Sequence, residues 1–192
     1  MTTICLIRHG ITDWNHLGKA QGISNIPLND EGKIQATALA NRLVTEPWDI
    51  IISSNLKRAK ETAQIIADVL GISNFKFDER LIEINCGQIE GTTEDERLNK
   101  WGKDWRSLDL GMEKFEDVAK RGIEVIEEIA NIYKDKRVIV VSHGALIGLT
   151  LQFLLPHVFT KTYIDNTSLT VIKKYSNNWE CTVYNCTEHL NA

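Results

Sequence analysis

Two histidines stand where the chain leaves an apolar run. Ile4-Cys5-Leu6-Ile7 leads into Arg8-His9-Gly10, and Val138-Ile139-Val140-Val141 leads into Ser142-His143-Gly144. A third run, Ile50-Ile51-Ile52, ends in Ser53-Ser54 and is followed by Arg58. If the three runs lie parallel, their ends meet at one sheet edge, where open α/β sheets build their sites. Two guanidiniums, two imidazoles and glycine-flanked backbone amides then converge, a set suited to a phosphoryl group. A phosphate monoester dianion resists attack through its own charge, and its uncatalysed hydrolysis is among the slowest known reactions. Charge-matched donors lower that barrier.

His9 is the better nucleophile candidate. Arg8 precedes it, and Gly10 permits close backbone approach and a carbonyl to hold the second ring nitrogen. It would attack as the neutral base. His143 is expected to be a second donor to the phosphate, and Arg58, in the first turns of its helix, to point back towards the strand ends. Each has a structural alternative: His9 packed under a turn, Arg58 exposed beside Glu61 or Thr62, and His143 a satisfied buried histidine. Lys57 reads as a surface residue.

The elements that must position these groups alternate. The three apolar runs are short, rich in β-branched residues and not alternating, as expected of strands buried on both faces. Asp30 is expected to cap a helix with Ile34, Ala38, Leu39 and Leu43 inward, stopped by Pro47; Ser54 is expected to cap another, with Leu56, Ala59, Ala63, Ile66 and Leu70 on one face and Gly71 as its stop. A third helix runs from about Lys114 to Tyr133 with Val118, Gly122, Val125, Ile126 and Ile129 inward, and a fourth from Gly144 to Leu155, ended by Pro156. Ser168 to Ile172 and Trp179 to Tyr184, joined through Ser176-Asn177-Asn178, read as an antiparallel hairpin. The pattern predicts an α/β fold: a three-layer αβα sandwich with a mostly parallel sheet, helices on both faces and a C-terminal antiparallel hairpin. Leu81 to Leu110 is the least regular stretch, with Glu94-Asp95-Glu96 at a helix start. Trp101, Trp105, Met112 and Phe115 either overhang the phosphate site or pack into the core.

A chain of 192 residues with 43% hydrophobic content fits one domain spanning residues 1–192. The net charge of -4 argues against a nucleic-acid partner, which would require a basic face. There is no membrane-length apolar window and no signal-peptide layout, so a cytoplasmic protein is expected. Cys5, Cys86, Cys181 and Cys186 form no CxxC pair, which favours reduced thiols over disulfides or a zinc site. The partner expected is a small phosphorylated metabolite, and a homodimer is compatible with the sequence.

Taken together, the motifs resemble the histidine phosphatase superfamily, the phosphoglycerate mutase-like family, in its phosphatase branch, over almost the whole chain. The resemblance is carried by Arg8-His9-Gly10 with Thr12, Trp14 and Asn15; by Gln21-Gly22, Pro27-Leu28, Gly32 and Gln35-Ala36; by Ser53-Ser54-Asn55-Leu56-Lys57-Arg58-Ala59 with Thr62-Ala63; and by Ser142-His143-Gly144. It implies that His9 becomes transiently phosphorylated while Arg8, Arg58 and His143 surround the phosphoryl oxygens. Asn15, Gln21, Gly22 and Gly144 are implied as further phosphate or substrate contacts. Spacing alone does not choose between Glu83 and Glu90 as the acid; similarity of the Leu81 to Gly91 segment to the family's motif implies Glu83, which would protonate the leaving alkoxide and then serve as base towards water. Neither a metal nor a cofactor is implied, since arginines and imidazoles take the role a divalent ion has elsewhere.

The chain departs from the family pattern at Met112 and Lys114, where Gly111-Met112-Glu113-Lys114 precedes Asp117 and Arg121 and the family's second glycine and serine are replaced, and at Ile11 and Asn25. The segment from Gly91 to Glu113 offers little to cover the pocket, which favours hydrolysis over mutase chemistry. The expectation is a phosphomonoester hydrolase of broad or small-metabolite specificity. The alternatives are a cofactor-dependent phosphoglycerate mutase and a non-catalytic phosphate-binding module.

Overall fold

The computed structural model describes residues 1–191. In chain order the elements are β1 (Thr2–Arg8), α1 (Asp13–His16), α2 (Asp30–Leu43), β2 (Ile50–Ser53), α3 (Lys57–Leu70), β3 (Phe75–Phe77), α4 (Glu94–Trp101), α5 (Phe115–Ile132), β4 (Arg137–Ser142), α6 (Gly144–Leu154), β5 (Leu169–Tyr175) and β6 (Asn178–Cys186). The six strands form one sheet in the order β3-β2-β4-β1-β5-β6. β3, β2, β4 and β1 run parallel, whereas β5 is antiparallel to β1 and β6 to β5.

Side chains alternate across each strand, so an unbroken apolar run must be covered on both sides. Ile4 and Leu6 of β1, with Ile50, Ile52, Val138 and Val140, pack with α5 and α6; Cys5 and Ile7, with Ile51, Ile139 and Val141, pack with α2 and α3. This is the expected three-layer α/β sandwich. Ile4, Ile7, Ile50, Ile51 and Ile139 are fully buried, each stabilising the fold by roughly 1.5–3 kcal/mol. Register does the positioning: Arg8 lies beside Ser142, and Ser53 beside Val141, which aligns the carboxyl ends of β1, β4 and β2.

Several local expectations need correction. α2 is capped by Asn29, whose side chain accepts from the Gly32 N–H, and not by Asp30. Its buried stripe is Gly32, Ala36, Leu39, Ala40 and Leu43, while Ile34 is 70% exposed. The phase is set by backbone contact: a Cβ on Gly32 would fall 2.2 Å from the Ile11 carbonyl oxygen, so the Gly32 face alone can lie against the loop after β1. α3 begins beyond Ser54, with Leu56 at its N-cap and Gly71 in the left-handed conformation at its end, as expected of a helix stop. β3, an edge strand of three residues, was not anticipated. Trp105 is buried, donating from Nε1 to Glu94 at 3.1 Å, and Trp101 packs on the same core. Core packing accounts for both tryptophans.

The four cysteines are unpaired, and burial pushes the Cys5 and Cys86 thiols up to about 12. Among the described residues no helix is long and apolar enough to cross a membrane.

Candidate active site

His9 leaves β1 with its backbone N–H on the Ser142 carbonyl at 3.0 Å, and its ring is 2% exposed. Nδ1 lies 2.7 Å from the Gly10 carbonyl. A carbonyl only accepts, so Nδ1 carries the proton and Nε2 keeps its lone pair. Arg58 agrees with that assignment, donating from Nε to His9 Nε2 at 3.2 Å. Burial, then the charges of Arg58 and Arg8, hold the His9 pKa well below 6.5, so the ring is neutral.

Arg58 is the second residue of α3 and is 1% exposed. Among the described residues no carboxylate forms a salt bridge with it. Its Nη1 donates to the Ser24 carbonyl at 2.7 Å and its Nη2 to the Gly22 carbonyl at 2.8 Å. Burial pushes its pKa down to about 10, which leaves it cationic at neutral pH. Gly22 has a φ of +50°, and a Cβ there would lie 2.1 Å from Glu90 Oε1. Glu90 holds this loop by accepting from the Ile23 N–H at 2.9 Å and the Ser24 hydroxyl at 2.6 Å.

Arg8 donates from Nη1 to the Ile164 carbonyl at 2.6 Å. Gly144 lets the guanidinium come close, since a Cβ there would stand 3.3 Å from Arg8 Nε. His143 is fully buried, with its ring centroid 5.2 Å from that of His9 and its Nε2 2.8 Å from Ser54 Oγ. Its pKa also lies well below 6.5, through burial and then the charge of Arg58. Among the described residues four buried side-chain polar atoms lack a protein partner, and two of them, Arg8 Nε and His143 Nδ1, belong to this cluster.

Glu83 sits at the N-terminus of α6. Its Oε2 accepts from Ala145 N–H at 3.1 Å, and its Oε1 from Leu146 N–H at 3.0 Å and Ile84 N–H at 2.9 Å. With Arg8 and Gly144 it lines one end of a groove of about 390 Å³. Glu90 is not among the residues lining that groove and instead holds the loop at Ile23 and Ser24. Arg121 fixes the Glu83 segment by donating to the carbonyls of Arg80, Ile82 and Glu83, and its fork is held by Glu113 at 2.9 and 3.0 Å.

The remaining expected residues lie around the loop after β1. Asn15 Oδ1 accepts from Thr12 N–H at 3.0 Å, and Gln21 Oε1 from the Thr12 hydroxyl at 2.8 Å, so both amide nitrogens are turned away from Thr12. The carbonyl of Gly22 is engaged by Arg58, as described. Four supporting residues were not assigned these tasks from sequence. Ser54, expected as a helix cap, faces His143. Thr62 Oγ1 accepts from the Gly10 N–H at 3.0 Å. Asn166 Nδ2 donates to the His9 carbonyl at 3.1 Å, and the Thr167 N–H donates to the carbonyls of Arg8 and His9 at 3.0 and 3.2 Å. The paired serines at a strand end were a usable signal for Ser54. Nothing in the sequence marks Thr167, which adopts a φ of +54°.

Solved structures resemble the chain along its length, among them the following two. Bacillus stearothermophilus YhfR is 30% identical with a TM-score of 0.88, covering 99% of this chain and 100% of that one. A mutant phosphoserine phosphatase of Entamoeba histolytica, in complex with phosphoserine, is 32% identical with a TM-score of 0.82, covering 99% and 100%. The Bacillus subtilis (strain 168) protein called uncharacterized phosphatase PhoE is 34% identical over 195 residues, which is 100% of this chain and 98% of the relative. The model of the histidine phosphatase superfamily (branch 1) matches residues 4–187. With the site assembled from the same strand ends that carry the motifs, the chain belongs to that superfamily.

Proposed function

We propose that this enzyme hydrolyses phosphomonoesters of small metabolites through two displacements at His9. The His9 Nε2 lone pair attacks phosphorus, the P–O ester bond breaks, and the leaving alkoxide takes a proton from Glu83. Water then attacks the phosphohistidine and gives its proton to Glu83; the P–N bond breaks, and orthophosphate leaves with both residues restored. Arg8, Arg58 and His143 hold the phosphoryl oxygens, and Asn15, Gln21 and the backbone at Gly22 and Gly144 border them.

The reading is carried by a buried Arg58 and a partly buried Arg8 that donate to carbonyls rather than to carboxylates, beside a neutral imidazole whose nucleophilic nitrogen is unprotonated. Burying cations unpaired is costly, so the site gains most from a dianion that accepts from Arg8 Nε and His143 Nδ1 as well. Ser54 supports the donor role of His143: when its hydroxyl donates to Nε2, the neutral ring carries its proton on Nδ1.

The test combines phosphate release with acid quenching. The native enzyme should release inorganic phosphate and yield an acid-labile, alkali-stable phosphoprotein, and His9→Ala should lose both, with turnover falling by several orders of magnitude. Turnover retained by His9→Ala would overturn the proposed nucleophile. Interconversion of phosphoglycerates faster than phosphate release would replace hydrolysis by mutase activity.

A further inference from the structure

The groove that begins at Arg8 and Glu83 continues along α6. It follows the helix from Gly144 to Gln152, eight residues or about 12 Å at 1.5 Å per residue. A serine or glyceryl group attached to a phosphate at its near end would occupy only a fraction of that length. Leu149, Ala145 and Ile164 contribute apolar surface, and Phe115 and Tyr163 contribute rings that are 56% and 71% exposed. Tyr163 is exposed without being loose at its backbone. The Tyr184 hydroxyl accepts from its N–H at 2.9 Å and donates to its carbonyl at 2.8 Å. The far end is lined by uncharged groups, with Gln152 Nε2 donating to Thr162 Oγ1 at 2.6 Å. Arg8 is the one cation among the lining residues, and the one carboxylate is Glu83.

We infer that this groove receives the leaving group and selects uncharged alcohols carrying an aromatic or extended apolar group over those carrying a carboxylate. The inference rests on the hydrolase reading above and deepens it. A carboxylate on the leaving group would lie near Glu83 with no cation of its own, because Arg8 is engaged by the Ile164 carbonyl and the phosphoryl group. An apolar group instead exchanges water for the rings of Phe115 and Tyr163 and the flank of α6. Removing a phenyl ring from water in this way raises kcat/KM by about tenfold or more.

The test uses unactivated alcohols, so that leaving-group chemistry stays comparable: ethyl phosphate, 2-phenylethyl phosphate, phosphoserine and 3-phosphoglycerate. In the native enzyme kcat/KM for 2-phenylethyl phosphate should exceed that for each of the others by about tenfold or more. In Phe115→Ala and in Tyr163→Ala the ratio of 2-phenylethyl to ethyl phosphate should drop several-fold, a readout independent of how much of each variant is folded. A preference for phosphoserine or 3-phosphoglycerate, or a ratio unmoved by both substitutions, overturns the inference while leaving the hydrolase reading intact. No turnover of any of the four overturns both.

Discussion

The two ends of the sheet treat positive charge in opposite ways. At the amino end, where β1 and β4 begin, Arg137 pairs with Glu46, Lys136 with Asp49 at 3.2 Å, and the Met1 ammonium with Asp135. A depression of about 350 Å³ nearby is lined by Met1, Lys134 and Lys174, and Lys174 is paired with Glu127. At the carboxyl end, Arg58 is buried and Arg8 partly so, and both donate to carbonyls rather than to carboxylates. Paired surface charges contribute little beyond solubility. Guanidiniums held by neutral acceptors keep their full charge for a ligand, which suits the carboxyl end rather than the amino end to an anionic ligand although both ends are rich in cations.

Substitutions at matched arginines break that contrast most directly. Arg58→Ala should lower kcat/KM by about a thousandfold, on the scale of removing a preorganised charge donor, as read by steady-state kinetics. Glu83→Gln should slow hydrolysis of alkyl phosphates by roughly 10²–10⁴ and be much milder with 4-nitrophenyl phosphate, whose leaving group needs no proton. The pH dependence of stability sharpens the contrast. The folded pKa values of His9 and His143 lie well below 6.5, so above pH 6.5 neither folded nor unfolded chain binds these protons. As pH falls below 6.5 the unfolded chain takes them up and the native one does not, and stability should drop by at most about 1.4 kcal/mol per pH unit for each ring. Denaturation midpoints between pH 7 and 5 should show this slope, and His143→Ala should flatten it. The smallest effect belongs to the amino end: Arg137→Ala should leave kcat/KM unchanged and cost about 1 kcal/mol or less, from its ion pair and its stacking on Trp48.

How much could be read beforehand follows from where information sits in the chain. Runs such as Val138 to Val141 are visible because a doubly buried strand needs apolar residues at every position, and each run carries its reactive residues directly behind it. α5 was legible from its inward stripe of Val118, Gly122, Val125, Ile126 and Ile129, and the hairpin from its turn. β3 escaped because Phe75–Phe77 is a three-residue edge with Lys76 and Phe77 exposed, so burial imposes little pattern on it. The phase of α2 escaped because it is decided by Gly32 meeting the Ile11 carbonyl, a contact between segments rather than a periodicity. At the site, His9, both arginines and the second histidine were marked by the strand ends they follow. The cage that orients Arg58 is made of the carbonyls of Gly22 and Ser24, and backbone atoms leave no trace in side-chain identity. Arg121 and Glu113 stood in a segment noted only for its departures at Met112 and Lys114, whereas their hydrogen bonds make them the support of Glu83.

The strand that carries His9 is flanked by two late partners: β1 pairs along residues 137–142 on one edge and 169–174 on the other. Both partners follow His9 by well over a hundred residues, so the histidine stays unframed until they have been made, and such distant pairings close slowly. A truncated product would have neither the Ser142 carbonyl nor the Thr167 amide to seat it. On the proposed mechanism, phosphotransfer therefore waits on both late partners, and a chain lacking either would be chemically silent.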